Sequence, residues 1–356
     1  MPSKYKANIG PLRIRKTYNV NRITQDGYTA MKVWVVGAGI VGEATGKGLI
    51  NKGNDVTFID KVPDVVRRLT EAGFKSFSFE EVEHDGLEIP DIAMFCIQTP
   101  LKNDGSVNLD YLAEGFVTYS KFLKKKFTDR YHVIVVRSTV PPLTTKEMII
   151  PLIETYSGLK VGRDFGLCMQ PEFLRTINCE EDFLKPKAIV IGEYDKCSGD
   201  YLESLYQDFK APMIRVDLIT AEFGKYVNNC FNATKISFAN EIWLIGQKLG
   251  LDVNSILSIS ALTAEGYWNP KYGTIGGQPF GGPCLMKDIE GFSNFASQID
   301  IDVPLLQAAV EVNRRMEALS EEGVVPHATV EKPSHLGPSP RYGIEKTVEN
   351  VKQAKT

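Results

Sequence analysis

Residues 31–60 read MKVWVVGAGIVGEATGKGLINKGNDVTFID, and this stretch constrains the fold most tightly. Lys32–Val36 is an apolar, β-branched run of the kind a strand buried on both faces requires. It leads into Gly37, Gly39 and Gly42 at the start of a helix-length segment. In a strand–turn–helix unit the first glycine permits the tight turn, and the second lets the backbone approach a diphosphate. The third allows close helix–strand packing, and the helix N-terminus, here with Ile40 and Val41 in its first turn, attracts the phosphates. A second strand, Asp55–Ile59, is followed by Asp60, 23 residues after Gly37, where an acid meets the ribose hydroxyls of a bound dinucleotide. Its charge repels a 2′-phosphate, so NAD is expected rather than NADP. The competing reading is a glycine-rich turn without a ligand. The nearby cations Lys61, Arg67 and Arg68 are read as a solvated helix face.

Beyond Asp60, strand-like runs at Asp91–Ile97, His132–Arg137, Phe165–Met169, Ala188–Ile191 and Ile214–Val216 alternate with helix-length segments. That alternation is the pattern of a parallel sheet with crossover helices, so residues 31–217 are expected to form an α/β domain, a Rossmann-type doubly wound parallel sheet. After Asp217 the texture changes. Ala221 to about Leu249 reads as one long helix, and helical segments follow at Asn254–Leu262, Asp288–Ser297 and Pro304–Leu319. Residues 218–319 are therefore expected to form a mostly helical second domain. A chain of 356 residues has room for two cores, since domain sizes peak near roughly 100–150 residues. Residues 1–30 carry Lys4, Lys6, Arg13, Arg15, Lys16 and Arg22 with little apolar periodicity, and read as either a flexible basic arm or an accessory strand pair. Residues 320–356, with Pro326, Pro333, Pro338 and Pro340, read as an irregular tail.

A net charge of −3 leaves no electrostatic footprint for nucleic acid and favours a small-molecule substrate. No apolar stretch approaches the roughly 20 residues that span a bilayer, and the N-terminus has no apolar leader core, so no membrane partner and a cytoplasmic location are expected. The six cysteines, Cys96, Cys168, Cys179, Cys197, Cys230 and Cys284, lack the paired spacing of a metal site. No metal is expected, and most of the thiols are read as reduced core residues.

Five further motifs sharpen the reading. They are Gln98-Thr99-Pro100 followed by Asp104-Gly105 and Asp110, then Arg137-Ser138-Thr139-Val140-Pro141, then Gln170-Pro171-Glu172-Phe173-Leu174-Arg175. The helix AEFGKYVNNCFNATKISFANEI from Ala221 comes next, and last Phe280-Gly281-Gly282-Pro283-Cys284-Leu285-Met286-Lys287-Asp288. In this order, from Met31 to about Leu319, the chain resembles the UDP-glucose/GDP-mannose dehydrogenase family. The resemblance implies an NAD-dependent oxidation of the C6 alcohol of a nucleotide sugar, UDP-glucose by default, to a carboxylate. It implies a cysteine thiohemiacetal and then a thioester on the way, and a homodimer built on the long helix. Thr99, Pro100, Ser138, Thr139 and Lys287 fall where such enzymes meet the cofactor. Glu172, Phe173, Leu174, Arg175, Lys225, Asn229, Phe280 and Gly281 fall where they meet the sugar nucleotide.

The residues are compatible with that chemistry. Cys284 follows two glycines and a proline at the expected start of a helix, whose positive end favours the thiolate; otherwise it is a small buried hydrophobe. Asp288, one turn on, would share its face and reach a hydrolytic water. Lys225 and Asn229, four apart, project from one face of the long helix, where they would donate to an oxyanion at C6. Taken alone, that pair reads as a solvated face. Asn232 and Lys235 read equally as surface or capping residues. Glu172 resembles the family glutamate that, with the threonine matching Thr139, orients or activates the water; its other reading is an N-cap or loop charge.

Four departures from the family pattern stand out. Thr176 replaces a second glutamate, Val65 a basic residue for which Arg67 is a candidate substitute, and Pro283 a serine whose backbone N–H it removes. The fourth is the C-terminal nucleotide-sugar-binding domain, which the chain is expected to lack. Two other functions compete: a non-catalytic NAD or nucleotide-sugar binding paralogue, and a single-hydride β-hydroxyacid dehydrogenase. Cys284 argues against the latter, which has no use for a nucleophile.

Overall fold

A parallel strand covered by helices on both sides must be apolar at successive positions, not at alternate ones, and the strands here are. In the computed structural model, which describes residues 23–24, 27–28, 30–84, 86–128, 130–281 and 284–324, eight strands form one sheet. They are β3 (Lys32–Val36), β4 (Asp55–Ile59), β5 (Ser76–Phe77), β6 (Ile92–Phe95), β7 (Val133–Val136), β8 (Gly166–Met169), β9 (Ile189–Glu193) and β10 (Met213–Asp217). Their order is β10-β9-β8-β7-β6-β3-β4-β5. The strand direction of travel therefore reverses between β3 and β6, which opens a crevice at the carboxyl ends of those strands. Ahead of the sheet, β1 (Ile23–Thr24) and β2 (Gly27–Tyr28) pair antiparallel; the rest of the expected basic arm, and the expected tail beyond Val324, lie outside the described residues.

Alternate residues of each strand feed two cores. Trp34, Val36, Phe95, Ile134 and Val136 point to one side, where they pack with α4 (Asp110–Lys126) and α5 (Ile150–Ser157) through Phe116, Tyr119, Phe122 and Ile153. Val33, Val35, Phe58, Met94, Val133 and Val135 point to the other. There they meet α1 (Ile40–Asn51), α2 (Pro63–Glu71), α6 (Cys179–Leu184) and α7 (Lys196–Leu205) through Leu49, Leu69, Phe183 and Leu202. Phe95 and Phe116 stack with centroids 4.0 Å apart. Between β5 and β6 lies α3 (Phe79–His84).

The doubly wound sheet agrees with the sequence expectation except in direction and count. β8 and β9 pair antiparallel, and β10 then runs parallel to β9. A strand buried on both faces has the same composition in either orientation, so the reversal left no mark in the sequence. β5, with two residues, is too short to show a period.

The long helix α8 runs from Leu218 to Lys248. The chain divides into two compact units inside it, Met1–Phe231 and Asn232–Thr356. The reason is that Leu218 and Ala221, in its first turns, belong to the core of the sheet. The second unit contains the rest of α8 with α9 (Val253–Thr263), α10 (Glu265–Trp268), α11 (Leu285–Gln298) and α12 (Pro304–Glu321). Its core gathers Ile245, Ala296, Val303 and Leu306, with Phe238 and Ile289 packed against them. The buried Glu241 carboxylate accepts the backbone N–H groups of Leu305 (2.6 Å) and Leu306 (3.2 Å). A negative charge is thereby set on the positive end of α12, just where Pro304 begins the helix. No helix of the described residues is long and apolar enough to cross a membrane.

Gly46 tests the tightness of α1 against the sheet. A Cβ there would sit 2.3 Å from the ring of the fully buried Phe58. Gly46→Ala gains about 1 kcal/mol of helix propensity but overpacks the core at a cost of about 1–3 kcal/mol. The variant is expected to unfold at lower denaturant concentration than wild type; an unchanged or raised midpoint in urea would show that the contact relaxes freely.

Candidate active site

At the carboxyl edge of the sheet a cleft of about 590 Å³ is lined by residues that follow five strands. Gly37, Gly39, Ile40 and Val41 come after β3, Asp60 after β4, Cys96 to Thr99 after β6, Arg137 to Thr139 after β7, and Glu172 after β8. Gly37 has φ +90°, and a Cβ on it would lie 2.9 Å from the Cys96 carbonyl oxygen. A Cβ on Gly42 would lie 1.9 Å from the Gly37 carbonyl oxygen, whereas one on Gly39 would meet nothing within 4 Å. The three glycines thus have three different jobs: the turn, the open cradle and the close helix contact. No side chain caps α1, so its first N–H groups are left for a ligand.

Asp60 is pinned at the edge of this cradle. Its carboxylate accepts Ala38 N–H at 2.7 Å and Val62 N–H at 2.9 Å, and each oxygen retains a lone pair for a ribose hydroxyl. The three cations suspected of recruiting a phosphate are engaged elsewhere: Lys61 with Glu114, Arg67 with Asp64, Arg68 with Glu43. Arg67 does not line the cleft, and Val65 does. Open space before Gly39 and an acid at the end of β4 fit an NAD without a 2′-phosphate. Thr99 donates its hydroxyl to the Thr139 carbonyl (2.7 Å), and Ser138 donates to the Ile97 carbonyl (2.6 Å), so these two side chains hold the ends of β6 and β7 together. Pro100 is exposed, its carbonyl accepting Asn108 N–H at 2.7 Å.

Lys225 and Glu172, separated by 53 residues, meet as an ion pair at 2.9 Å, with side chains 6% and 12% exposed. Glu172 also accepts Leu174 N–H at 2.6 Å, and the Lys225 ammonium lies 5.5 Å from the centroid of Phe173. Such a site holds an ammonium and a carboxylate in fixed positions beside the cofactor cleft, where they can donate to and accept from a reacting oxygen. Asn229, one turn along α8, is exposed and accepts from Asn228 at 3.2 Å. Leu174 is partly buried and packs against the core. Arg175 does not line the cleft: its guanidinium forks onto Asp182 at 2.7 and 2.9 Å, which holds the Asp182 carboxyl down at about 2. Thr176 opens a short 3-10 turn and is exposed.

The second unit carries the remaining residues. Cys284 is the N-cap of α11, and Asp288 N–H donates to its carbonyl at 2.9 Å, which sets the two residues one helical turn apart. Asp288 pairs with Lys287, both side chains being exposed. Gly282 and Pro283 lie outside the described residues. Phe280 is held by the buried Asn313, which accepts its N–H (2.7 Å) and donates to its carbonyl (3.1 Å); Gly281 is exposed. Cys168 lies in the core and Cys96 and Cys197 pack against it, whereas Cys230, like Cys284, is exposed, which corrects the expectation of a core residue for Cys230. Neither exposure nor a helix N-terminus sets Cys284 apart by itself, since Cys230 is also exposed and Cys179 and Cys197 stand in the first turns of α6 and α7; Cys284 combines the two. Burial pushes the Cys96 thiol up to about 12. Among the described residues no group of three or more His, Cys, Asp or Glu side chains could hold a metal ion.

Sequence reasoning missed Glu222. Fully buried three residues before Lys225, it accepts the N–H groups of Leu143 and Thr145, each at 2.7 Å, and burial raises its carboxyl above the ordinary range. It ties the helix of Lys225 to the loop that follows Thr139, at a leucine with φ +77°. The only trace of this in the sequence is an acid at the i, i+3 spacing from the lysine.

The fold and the cleft define a dinucleotide-binding protein of the two-unit dehydrogenase type. Residues 31–210 match the NAD binding domain of the UDP-glucose/GDP-mannose dehydrogenase family, and residues 219–315 its central domain. The chain belongs to that family, and NAD is its cofactor. A GDP-mannose 6-dehydrogenase of Pseudomonas savastanoi pv. phaseolicola is 36% identical over 304 residues, 80% of this chain and 68% of that protein. A UDP-glucose 6-dehydrogenase of Bacillus subtilis is 31% identical over 312 residues, 81% and 67% of the two chains. Among solved structures, a ternary complex of GDP-mannose dehydrogenase from Pseudomonas aeruginosa superposes with a TM-score of 0.76 at 30% identity, covering 84% of this chain and 72% of that one.

Breaking one partner of a buried ion pair strands the other charge at a cost of about 3–5 kcal/mol. Lys225→Met should therefore destabilise the fold more than Lys225→Met with Glu172→Gln, as read by urea unfolding. A double variant no more stable than the single one would mean that the pair is not buried in solution.

Proposed function

We propose that this chain oxidises the C6 alcohol of a nucleotide sugar to the carboxylate in two NAD-dependent steps. The observation that carries the reading is the buried Lys225–Glu172 pair at the NAD cleft, in a chain that also sets Cys284 at a helix N-terminus with Asp288 one turn on. UDP-glucose served as the default substrate; because the relatives named GDP-mannose 6-dehydrogenases reach 36% identity against 31% for a UDP-glucose enzyme, GDP-mannose takes its place as the first candidate.

When bound, NAD accepts a hydride from C6 in each oxidation. Lys225 and Asn229 donate hydrogen bonds to the C6 oxygen as it gains negative charge. The Cys284 thiolate adds to the aldehyde carbon, giving a thiohemiacetal, and loss of the second hydride leaves a thioester. Glu172 and Thr139 orient the water, Asp288 takes its proton, and hydrolysis returns the thiol. In sum, one alcohol, one water and two NAD give one carboxylate, two NADH and three protons. Gly37, Gly39, Gly42 and Asp60 hold the dinucleotide, with Thr99, Pro100, Ser138 and Lys287 around it. Phe173, Leu174, Arg175, Phe280 and Gly281 take the sugar nucleotide, Arg175 through what its pairing with Asp182 leaves available.

The diagnostic experiment is NADH formation against a panel of GDP- and UDP-sugars. Two NADH per sugar are expected, with a base-labile adduct on the Cys284 peptide by mass spectrometry. Cys284→Ser, a poor nucleophile without an adjacent base, should lose the acid product. Two NADH per sugar from Cys284→Ser at the normal rate would overturn the mechanism, and NAD binding without turnover of any sugar would leave a binding protein.

The chain is also proposed to form a homodimer through α8. Phe223, Val227 and Phe231 are exposed at four-residue spacing, a stripe on one helix face, and Ile236 and Trp243 are exposed further along. Sedimentation should give a dimer that Phe231→Glu converts to a monomer; a wild-type monomer would refute this.

A further inference from the structure

Arg137 is a buried cation that lacks a buried anion. The residue is 6% exposed, and guanidinium keeps its charge at every accessible pH. Its Nε donates to the Thr45 hydroxyl at 3.0 Å and its Nη1 to the Gln170 carbonyl oxygen at 2.8 Å, while Phe183 presents its ring 5.6 Å away. All three partners are neutral. Among the described residues no carboxylate is paired with it, although burying an unpaired charge is strongly unfavourable. A structural clamp between α1, β7 and β8 has no need of a positive charge.

The charges around the cleft show where the missing anion belongs. Asp60, Lys61, Glu114, Arg137 and Glu172 line it. Lys61 is paired with Glu114, and Glu172 with Lys225. Asp60 and Arg137 remain, after β4 and β7, on either side of the glycine turn that follows β3. Asp60 can be satisfied by the hydroxyl donors of a ribose. Arg137 requires an anion, and the diphosphate is the anionic part of the dinucleotide that this cleft takes. Through Thr45, the long side chain brings its charge beneath the first turns of α1, on the side of the sheet where the helix N-terminus already adds positive potential.

We propose that Arg137 is the fixed positive charge that binds the diphosphate of NAD, acting together with the N-terminus of α1. The charge is held in advance by neutral hydrogen-bond acceptors, so it is neither screened by salt nor cancelled by a neighbour before the ligand arrives. This assignment does not depend on which sugar is oxidised.

The test separates charge from packing by comparing ADP-ribose, which carries the diphosphate, with adenosine, which lacks it, through calorimetry and competition. Arg137→Met should weaken ADP-ribose by about ten- to a hundredfold, the scale of one charge-assisted hydrogen bond, and adenosine by less than about twofold. Arg137→Lys keeps the charge but loses the forked donor geometry, and should hold ADP-ribose within about threefold even if its melting temperature falls. Equal weakening of both ligands by Arg137→Met would assign the residue to packing, and unchanged ADP-ribose affinity would remove it from the site. Should Arg137→Met fail to fold, Arg137→Gln, which removes the charge but can still hydrogen-bond, takes its place: a loss of ADP-ribose affinity of about tenfold or more supports the charge, and unchanged affinity overturns it.

Discussion

The approach of α1 to the end of β3 governs the whole carboxyl edge of the sheet. The Gly37 carbonyl oxygen occupies the space a side chain on Gly42 would need, the two being 1.9 Å apart, so the helix starts directly on the strand. That contact aims the unsatisfied N–H groups of α1 at the place where strand order reverses between β3 and β6. Every other part of the cleft is arranged around it. Asp60 reaches back to the same turn through Ala38 N–H, and Thr99 and Ser138 join the neighbouring strand ends so that the cleft floor is continuous.

Carboxylates fasten the helices of this protein, and they do so by accepting backbone N–H groups rather than by surface ion pairing. Glu222 docks the first turns of α8 onto the loop after Thr139, Glu241 caps α12, and Glu172 spans its own backbone and Lys225. A buried acid is tolerated only when its oxygens are satisfied, so each of these residues defines the position of two segments at once. For Glu172 this has a chemical consequence: the carboxylate proposed to orient water is held by two donors and cannot wander. A rigid acid of this kind favours one water geometry.

The site was legible to different depths. Gly37, Gly39, Gly42 and Asp60 could be read because a dinucleotide cradle uses residues close in sequence, where spacing carries the geometry. Cys284 and Asp288 could be read for the same reason, one helical turn apart. The Lys225–Glu172 contact joins residues 53 positions apart, and spacing says nothing about such a pair; only the family motifs placed both near the chemistry. Arg175 shows the opposite case, a motif residue whose guanidinium the fold commits to Asp182. Asn313 carried no local signal, Glu222 only its spacing from Lys225, and Arg137 only its place at the head of a family motif, since an acid, a cation and an amide in helices or at strand ends are ordinary surface residues until they are buried.

By itself, the sequence determined the layering of the first unit, the position of its nucleotide turn, the helical character of the second unit and the cysteine at the start of α11. These follow from periodicity, from glycines whose conformations other residues cannot adopt, and from residues within a turn of one another. Tertiary structure alone decided the antiparallel turn of β9, the division of the chain inside α8, and which charged side chains are buried, paired or left over. Those outcomes depend on which distant segments exclude water from each other. A buried charge acquires its meaning from the neighbours the fold supplies, as Arg137 does among Thr45, Gln170 and Phe183.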